Sequence, residues 1–142
     1  MAKRITREEC NCFALRQASR FVTQLYERHL APAGLTAAQF TILSRLARAP
    51  GASAAELADD FVMDRTTVVR ALKPLQRDAL VVESAASHDT RMRTFRLSAA
   101  GRRRFDKAHA LWLDAQAEFE QYLKRDRAKA LRAELFALTR AA

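Results

Sequence analysis

The sequence predicts a mostly α-helical fold carrying one small β-hairpin. Apolar residues recur three and four apart along most of the chain, the spacing that gathers them on one face of a helix. That period gives way once, between residues 81 and 97, to the alternation of a strand. Punctuation is sparse, three glycines and three prolines, so each instance is informative about where an element stops.

From Glu8 to Leu30, Cys12, Leu15, Ala18, Val22 and Leu25 form one stripe that is expected to be buried, and Pro32 with Gly34 ends the helix. Thr36 is placed to cap a second helix with Phe40, Leu43 and Leu46 inward, stopped by Pro50-Gly51. Ser53 opens a short third helix with Glu56 at the capping-box position and Leu57, Ala58 and Phe61 on its inner face. Asp64 caps a fourth, in which Val68, Leu72 and Leu75 point inward while Arg65, Thr66, Val69, Arg70 and Lys73 point out. Pro74 removes one hydrogen bond from this helix and should bend or loosen its second half. Two short helices joined tightly, the second with an outward row of Arg, Thr and Lys, make a helix-turn-helix pattern.

After Leu80, Val81-Val82-Glu83 reads as a strand, Ala86 to Arg93 as a small polar connection, and Thr94 to Leu97 as the returning strand. The tip carries Asp89, Arg91 and Arg93, and Arg96 follows, so a positively charged wing comes directly after the outward row. Ser98 to Gly101 restarts the helical pattern, with Arg102, Arg103 and Arg104 in the first turns. Phe105, Ala108, Trp112, Ala115, Phe119 and Tyr122 then form a coiled-coil-like seam, and Leu131, Leu135 and Leu138 a further stripe. The seam alone can pack on the first helix of the same chain. One small winged domain cannot cover all three stripes, so burial against a second copy is expected, giving a homodimer. Residues 36–98 are thus read as a winged helix-turn-helix, and residues 1–35 and 99–142 as a helical dimerisation region, within one continuous domain without internal repeats.

Lys and Arg total 25 against 16 Asp and Glu, a net charge of +9 that calls for anionic partners: nucleic acid first, an anionic membrane second. No apolar run approaches the roughly 20 residues that span a bilayer, and Met1 to Glu9 lacks a signal peptide's hydrophobic stretch, so no membrane partner and a cytoplasmic location are expected. Cys10 and Cys12 close too short a loop to be a structural disulfide framework; either they pack as small apolar residues or at least one is used chemically. His29, His88 and His109 lack ligand spacing, so neither a metal nor a cofactor is expected. No Ser-His-Asp, paired-carboxylate or phosphate-loop spacing suggests an enzyme, and Trp112, Phe119 and Tyr122 fit core packing better than a cofactor box.

The order of parts resembles the MarR family of winged-helix regulators along nearly the whole chain. The most specific stretch is Met63-Asp64-Arg65-Thr66-Thr67-Val68-Val69-Arg70, followed by Leu80-Val81, the wing motif Asp89-Thr90-Arg91, and Leu97-Ser98-Ala99-Ala100-Gly101. Ser98 stands where the family usually has Thr, and Ala79 where many members have Gly closing the recognition helix. The resemblance implies a dimeric repressor of double-stranded DNA with an imperfectly palindromic operator. Thr66, Thr67 and Arg70 are expected at base edges, Arg65 and Lys73 at phosphates, and Arg91 in the minor groove beside Asp89, with Arg93 in the same wing. Cys12-Phe13-Ala14-Leu15 and Tyr26 further resemble the organic-hydroperoxide-sensing OhrR branch, in which the matching cysteine is the reactive thiol and tyrosines of the partner subunit hydrogen-bond it. Ala37 takes the place of a second such tyrosine, and Arg16 of another nearby Tyr. Arg16 is placed either to stabilise a Cys12 thiolate by charge or to anchor the carboxylate of a small aromatic effector. Three readings follow: a repressor released by an aromatic or carboxylate effector, a thiol-based oxidant sensor using Cys12, and a basic architectural DNA-binding protein without an operator.

Overall fold

The computed structural model describes residues 4–140. The ends of the expected helical region, residues 1–3 and 141–142, lie outside the described residues. The chain forms α1 (Asn11–Leu30), α2 (Ala37–Arg48), β1 (Ala52–Ser53), α3 (Ala54–Phe61), α4 (Arg65–Arg77), β2 (Val81–Ala85), β3 (Arg93–Leu97), α5 (Ala99–Leu123) and α6 (Arg125–Arg140). This is the mostly helical architecture with a small wing that the sequence predicts.

Local chemistry sets most boundaries. Thr36 and Gln39 close a reciprocal capping box at α2, Ser53 and Glu56 another at α3, each satisfying two otherwise orphaned amides. Asp64 caps α4 through the Thr67 amide, and Ser98 caps α5 through the Gly101 amide. Gly34, at φ +68, closes the turn after α1, a left-handed conformation that glycine adopts without a Cβ penalty. Ala79 takes the same region at φ 55 where α4 ends, and the β-branched Val62 does so at φ 53 between α3 and α4. α4 continues through Pro74 to Arg77, so the proline does not end the helix.

The wing is a three-stranded antiparallel sheet in the order β1-β3-β2, one strand more than the expected hairpin. β1 pairs Ala52 with Phe95, and the Gly51 amide donates to the Phe95 carbonyl at 2.9 Å, so the chain leaving Pro50-Gly51 is drawn onto β3. Two residues are too few to show a period. The core lies between α2, α3, α4 and the sheet, where Leu43, Leu46, Leu57, Val68, Leu72, Leu75 and Val81 are fully buried. Truncating any of these leucines to Ala should cost about 2–5 kcal/mol.

α5 fastens this core to α1. Ala108 and Ala115 are fully buried, and Phe40 stacks on Phe105 and Trp112 with ring centroids 5.7 and 6.1 Å apart, so the first half of the seam is covered within the chain. Arg102, Arg104 and Lys107 donate to the carbonyls of Ala47, Ala33 and Pro32, at the C-terminal ends of earlier helices where cations are favoured.

One chain supplies only part of the expected burial. The α1 stripe is buried only at its C-terminal end: Leu25 and Leu30 are inside and Val22 half-buried, but Cys12, Leu15 and Ala18 are exposed. The α1–α5 pairings run from Phe21 against Tyr122 to His29 with Glu118, leaving the first turns of α1 open. The seam likewise opens at its end, where Tyr122 is exposed. α6 buries only Ala128 and leaves Leu131, Leu135, Phe136 and Leu138 exposed, so one chain leaves apolar side chains of this helix uncovered. Among the described residues, no helix is long and apolar enough to cross a membrane.

Candidate nucleic-acid interface

α4 is presented by its own cap. Asp64 Oδ1 accepts the Thr67 amide at 2.8 Å and Oδ2 accepts the Thr67 hydroxyl at 2.7 Å. These two bonds, the hydroxyl's foremost, hold the Asp64 carboxyl below its usual range. With Val68, Leu72 and Leu75 pinned in the core, Arg65, Thr66, Val69, Arg70 and Lys73 form a row open to solvent. Thr67 is also exposed, but its hydroxyl proton is committed to Asp64, leaving a lone pair and a methyl group for any outside contact.

The wing tip is ordered by Asp89. Its Oδ1 accepts the Arg91 amide at 2.9 Å and lies 3.7 Å from Arg91 Nε, while the Met92 amide donates to the Asp89 carbonyl at 3.1 Å. Arg91 itself is 95% exposed, a cation held out on a short tether. Arg93 starts β3 rather than sitting at the tip, and its Nε lies 3.3 Å from Glu83 Oε1. Between α4 and the wing runs a groove of about 470 Å³ lined by Arg65, Val69, Gln76, Glu83, Arg91 and Met92, among others.

Cys12, Arg16 and Tyr26 all lie on α1 but are not assembled in one chain. Cys12 and Arg16 are exposed, one turn apart, and at 1.5 Å per residue Tyr26 lies about 21 Å along the helix from Cys12 and about 15 Å from Arg16. Cys10 caps α1, its Sγ accepting the Phe13 amide at 3.4 Å. Tyr26 donates its hydroxyl to Gln116 Oε1, and burial, partly opposed by Arg132, raises its pKa above the ordinary value. It lines a cavity of about 230 Å³ with Val22, Thr23, Ala37, Phe40 and Trp112, so α2 contributes alongside α1 and α5. Arg16 is not in this lining, which is uncharged. Among the described residues, no three His, Cys, Asp or Glu side chains are grouped to hold a metal ion.

The MarR family model matches residues 33–92, the segment from the end of α1 through the wing tip. Over 94% of this chain and 96% of the other, the chain is 34% identical to the M. tuberculosis transcriptional regulator MosR, solved in complex with DNA, with a TM-score of 0.83. The chain belongs to the MarR family. It is a winged-helix transcriptional regulator and not an enzyme. The transcriptional repressor CouR bound to p-coumaroyl-CoA is 26% identical over 98% of this chain and 99% of the other, with a TM-score of 0.85. CouR has also been solved on a 23-mer DNA duplex, with a TM-score of 0.84 and the same 26% identity over 96% of this chain and 99% of the other. No curated protein matches the sequence.

Against other MarR proteins the two departures are structurally mild. Ser98 caps α5 as Thr would, and Ala79 accepts the left-handed conformation that many members give to Gly, at a cost of about 1 kcal/mol. Sequence reasoning missed Glu83 and Gln76, which face the groove, because their placement depends on strand register and on where α4 ends relative to the wing.

Proposed function

We propose that this MarR-family chain is a cytoplasmic homodimeric repressor that reads an imperfect palindrome in double-stranded DNA and leaves it when a small aromatic effector binds. The observation that carries the reading is the exposed row of α4 beside the projecting Arg91: a helix to enter the major groove with a cation flanking it. Thr66, Thr67 and Arg70 are assigned to base edges, Arg65 and Lys73 to phosphates, and Arg91, oriented by Asp89, to the minor groove. In this assignment residues 36–98 form the reading head, and residues 1–35 and 99–142 the dimerisation region.

The dimer is supported by the uncovered surface of α6 and the open turns of α1, since apolar patches of several hundred Å² are rare on monomers. A two-fold axis would set the two α4 helices about 34 Å apart, one turn of duplex. The α1–α2–α5 cavity supports the effector. At about 230 Å³ it falls below the roughly 300–1,000 Å³ of ordinary ligand pockets, so it suits a ring and not a whole acyl-CoA such as CouR's ligand. An effector there represses binding only if it favours a spacing of the reading heads that the operator does not fit.

The test pairs native mass spectrometry with fluorescence anisotropy on a palindromic and a scrambled duplex. A dimer with salt-resistant preference for the palindrome is expected. A 16.0 kDa species overturns the assembly, and equal affinity for both duplexes favours an architectural role.

A second reading, a thiol-based oxidant sensor, is favoured by one observation: Cys12 is exposed in the first turn of the helix that Cys10 caps. Oxidation there would act on the start of α1 and not on the cavity.

A further inference from the structure

Glu83 stands on β2, the strand that leaves the recognition helix, and its two carboxylate oxygens serve two different elements. Gln76 Nε2, near the end of α4, donates to Oε2 at 3.0 Å, and Arg93 Nε, at the start of β3, lies 3.3 Å from Oε1. The register explains the second contact: Ala85 opposes Arg93 and Glu83 opposes Phe95, so Glu83 and Arg93 are diagonal neighbours on one face of the ribbon. One carboxylate therefore ties the reading helix to the wing across the groove between them.

Stability is a poor account of this bridge. The side chains of Arg93 and Glu83 are 62% and 36% exposed, and ion pairs in such positions contribute little. Its effect on charge is larger. Arg65, Arg91 and Arg93 all border the groove, and only Arg93 has an acidic partner from outside the wing loop. Cations that neutralise phosphates raise affinity for every DNA sequence alike, and each adds about 0.9 to the log–log salt slope. Arg93, 62% exposed and held 3.3 Å from Glu83, is neutralised in place and adds to neither, whereas Arg91, 95% exposed and 3.7 Å from Asp89, keeps its guanidinium open to a phosphate.

We propose that Glu83 is a specificity-determining positioning residue: it withholds Arg93 from the phosphate backbone and fixes the wing to the end of α4, so that discrimination rests on the α4 row. The proposal rests on the DNA-binding reading above. It predicts that an acidic side chain inside a basic interface improves selectivity by lowering affinity for random sequence.

Salt titrations of binding to operator and random duplexes, with wild type, Glu83→Gln, Arg93→Ala and the double variant, test it. Glu83→Gln keeps an oxygen for Gln76 and removes the charge. It is expected to steepen the slope by about 0.9, tighten random-DNA binding several-fold at low salt and lower the operator-to-random ratio. Arg93→Ala should leave the wild-type slope unchanged and, in the double variant, restore it. An unchanged slope in Glu83→Gln with a lowered melting temperature makes Glu83 a structural residue and overturns the proposal. A slope shallower by about 0.9 in Arg93→Ala alone also overturns it, since Arg93 then already meets a phosphate. Wild type that binds neither duplex overturns the DNA-binding reading itself and this proposal with it; wild-type binding with an unchanged Glu83→Gln slope overturns this proposal alone.

Discussion

Gly101 lies directly against the backbone of Leu80: a Cβ built on Gly101 would come within 1.9 Å of the Leu80 carbonyl oxygen. The same oxygen accepts the Ser98 amide at 3.0 Å, and Ser98 Oγ in turn accepts the Gly101 amide at 2.9 Å. The exit from α4 and the start of α5 are thus fastened at one point, which fixes how the reading head is carried on the long helix. Gly101→Ala must displace backbone and not a flexible side chain. It should cost about 1–3 kcal/mol or more in overpacking, read as a lower denaturant midpoint. A midpoint equal to wild type would show that the junction relaxes freely.

Val62, 71% exposed at φ 53, holds the turn between α3 and α4 in a conformation hostile to a β-branched side chain. Val62→Gly should relieve about 1–2 kcal/mol of that strain, less about 0.4–1 kcal/mol for the added freedom of the unfolded chain. Chemical denaturation should therefore show a stabilised variant. A destabilised one would mean that the valine contributes contacts that outweigh its backbone.

The caps at Thr36, Ser53 and Asp64 were legible because each joins residues three apart, a relation that sequence spacing states directly. The same holds for Asp89 and Arg91, two residues apart in the wing. Glu83 was not legible as a bridge, since its partners Gln76 and Arg93 are brought to it by strand register and helix end. The cavity was not legible as a site: Tyr26 was singled out on α1, but Phe40 of α2 and Trp112 of α5 join it through packing that periodicity does not specify. Periodicity also announced a buried face on α1 without saying whose atoms bury it, which is why Cys12, Leu15 and Ala18 emerge exposed in one chain.

Arg70→Ala should weaken operator binding by about 1–3 kcal/mol and relax preference at one base pair, as loss of a base contact does. Arg91→Ala should instead lower the salt slope by about one unit on any duplex. Anisotropy titrations on operator and random DNA separate the two. Equal loss on both duplexes for Arg70→Ala would make it a phosphate contact.

Glu118 joins α5 to the end of α1, its oxygens 2.5 Å from His29 Nε2 and 2.5 Å from Arg28 Nη2. These partners, His29 first, lower its carboxyl pKa from the ordinary 4.5. A depressed acid contributes stability above its unfolded value and loses it as pH falls through the folded one. Wild type should therefore lose stability below about pH 4.5 more steeply than Glu118→Gln, in urea titrations run across the acid range. Parallel acid limbs would show that the bridge adds nothing in solution.

The last prediction separates the two proposed signals at α1. An organic hydroperoxide acting on Cys12 would break its O–O bond, leaving a sulfenic acid and releasing an alcohol, and condensation with the Cys10 thiol would form a disulfide and water. That disulfide would take Cys10 Sγ from the Phe13 amide it now accepts and so open the cap of α1. Against it, residues two apart do not face each other on a helix, although Cys10, at φ −94 and ψ 105, is still in extended backbone. The cavity offers a route that needs no thiol: an aromatic ring seated among Phe40, Trp112 and Tyr26 would press on α2, the first helix of the reading head. Operator release is therefore titrated in wild type, Cys12→Ser and Tyr26→Phe, once with an organic hydroperoxide and once with a panel of phenols and aromatic carboxylates. The cavity reading expects release by ring compounds in wild type and Cys12→Ser alike, with a shifted dose in Tyr26→Phe, and better release by neutral rings because the lining carries no charge. Peroxide release that disappears in Cys12→Ser while the panel leaves the operator occupied would transfer the signal to the cysteines and leave the cavity a packing defect.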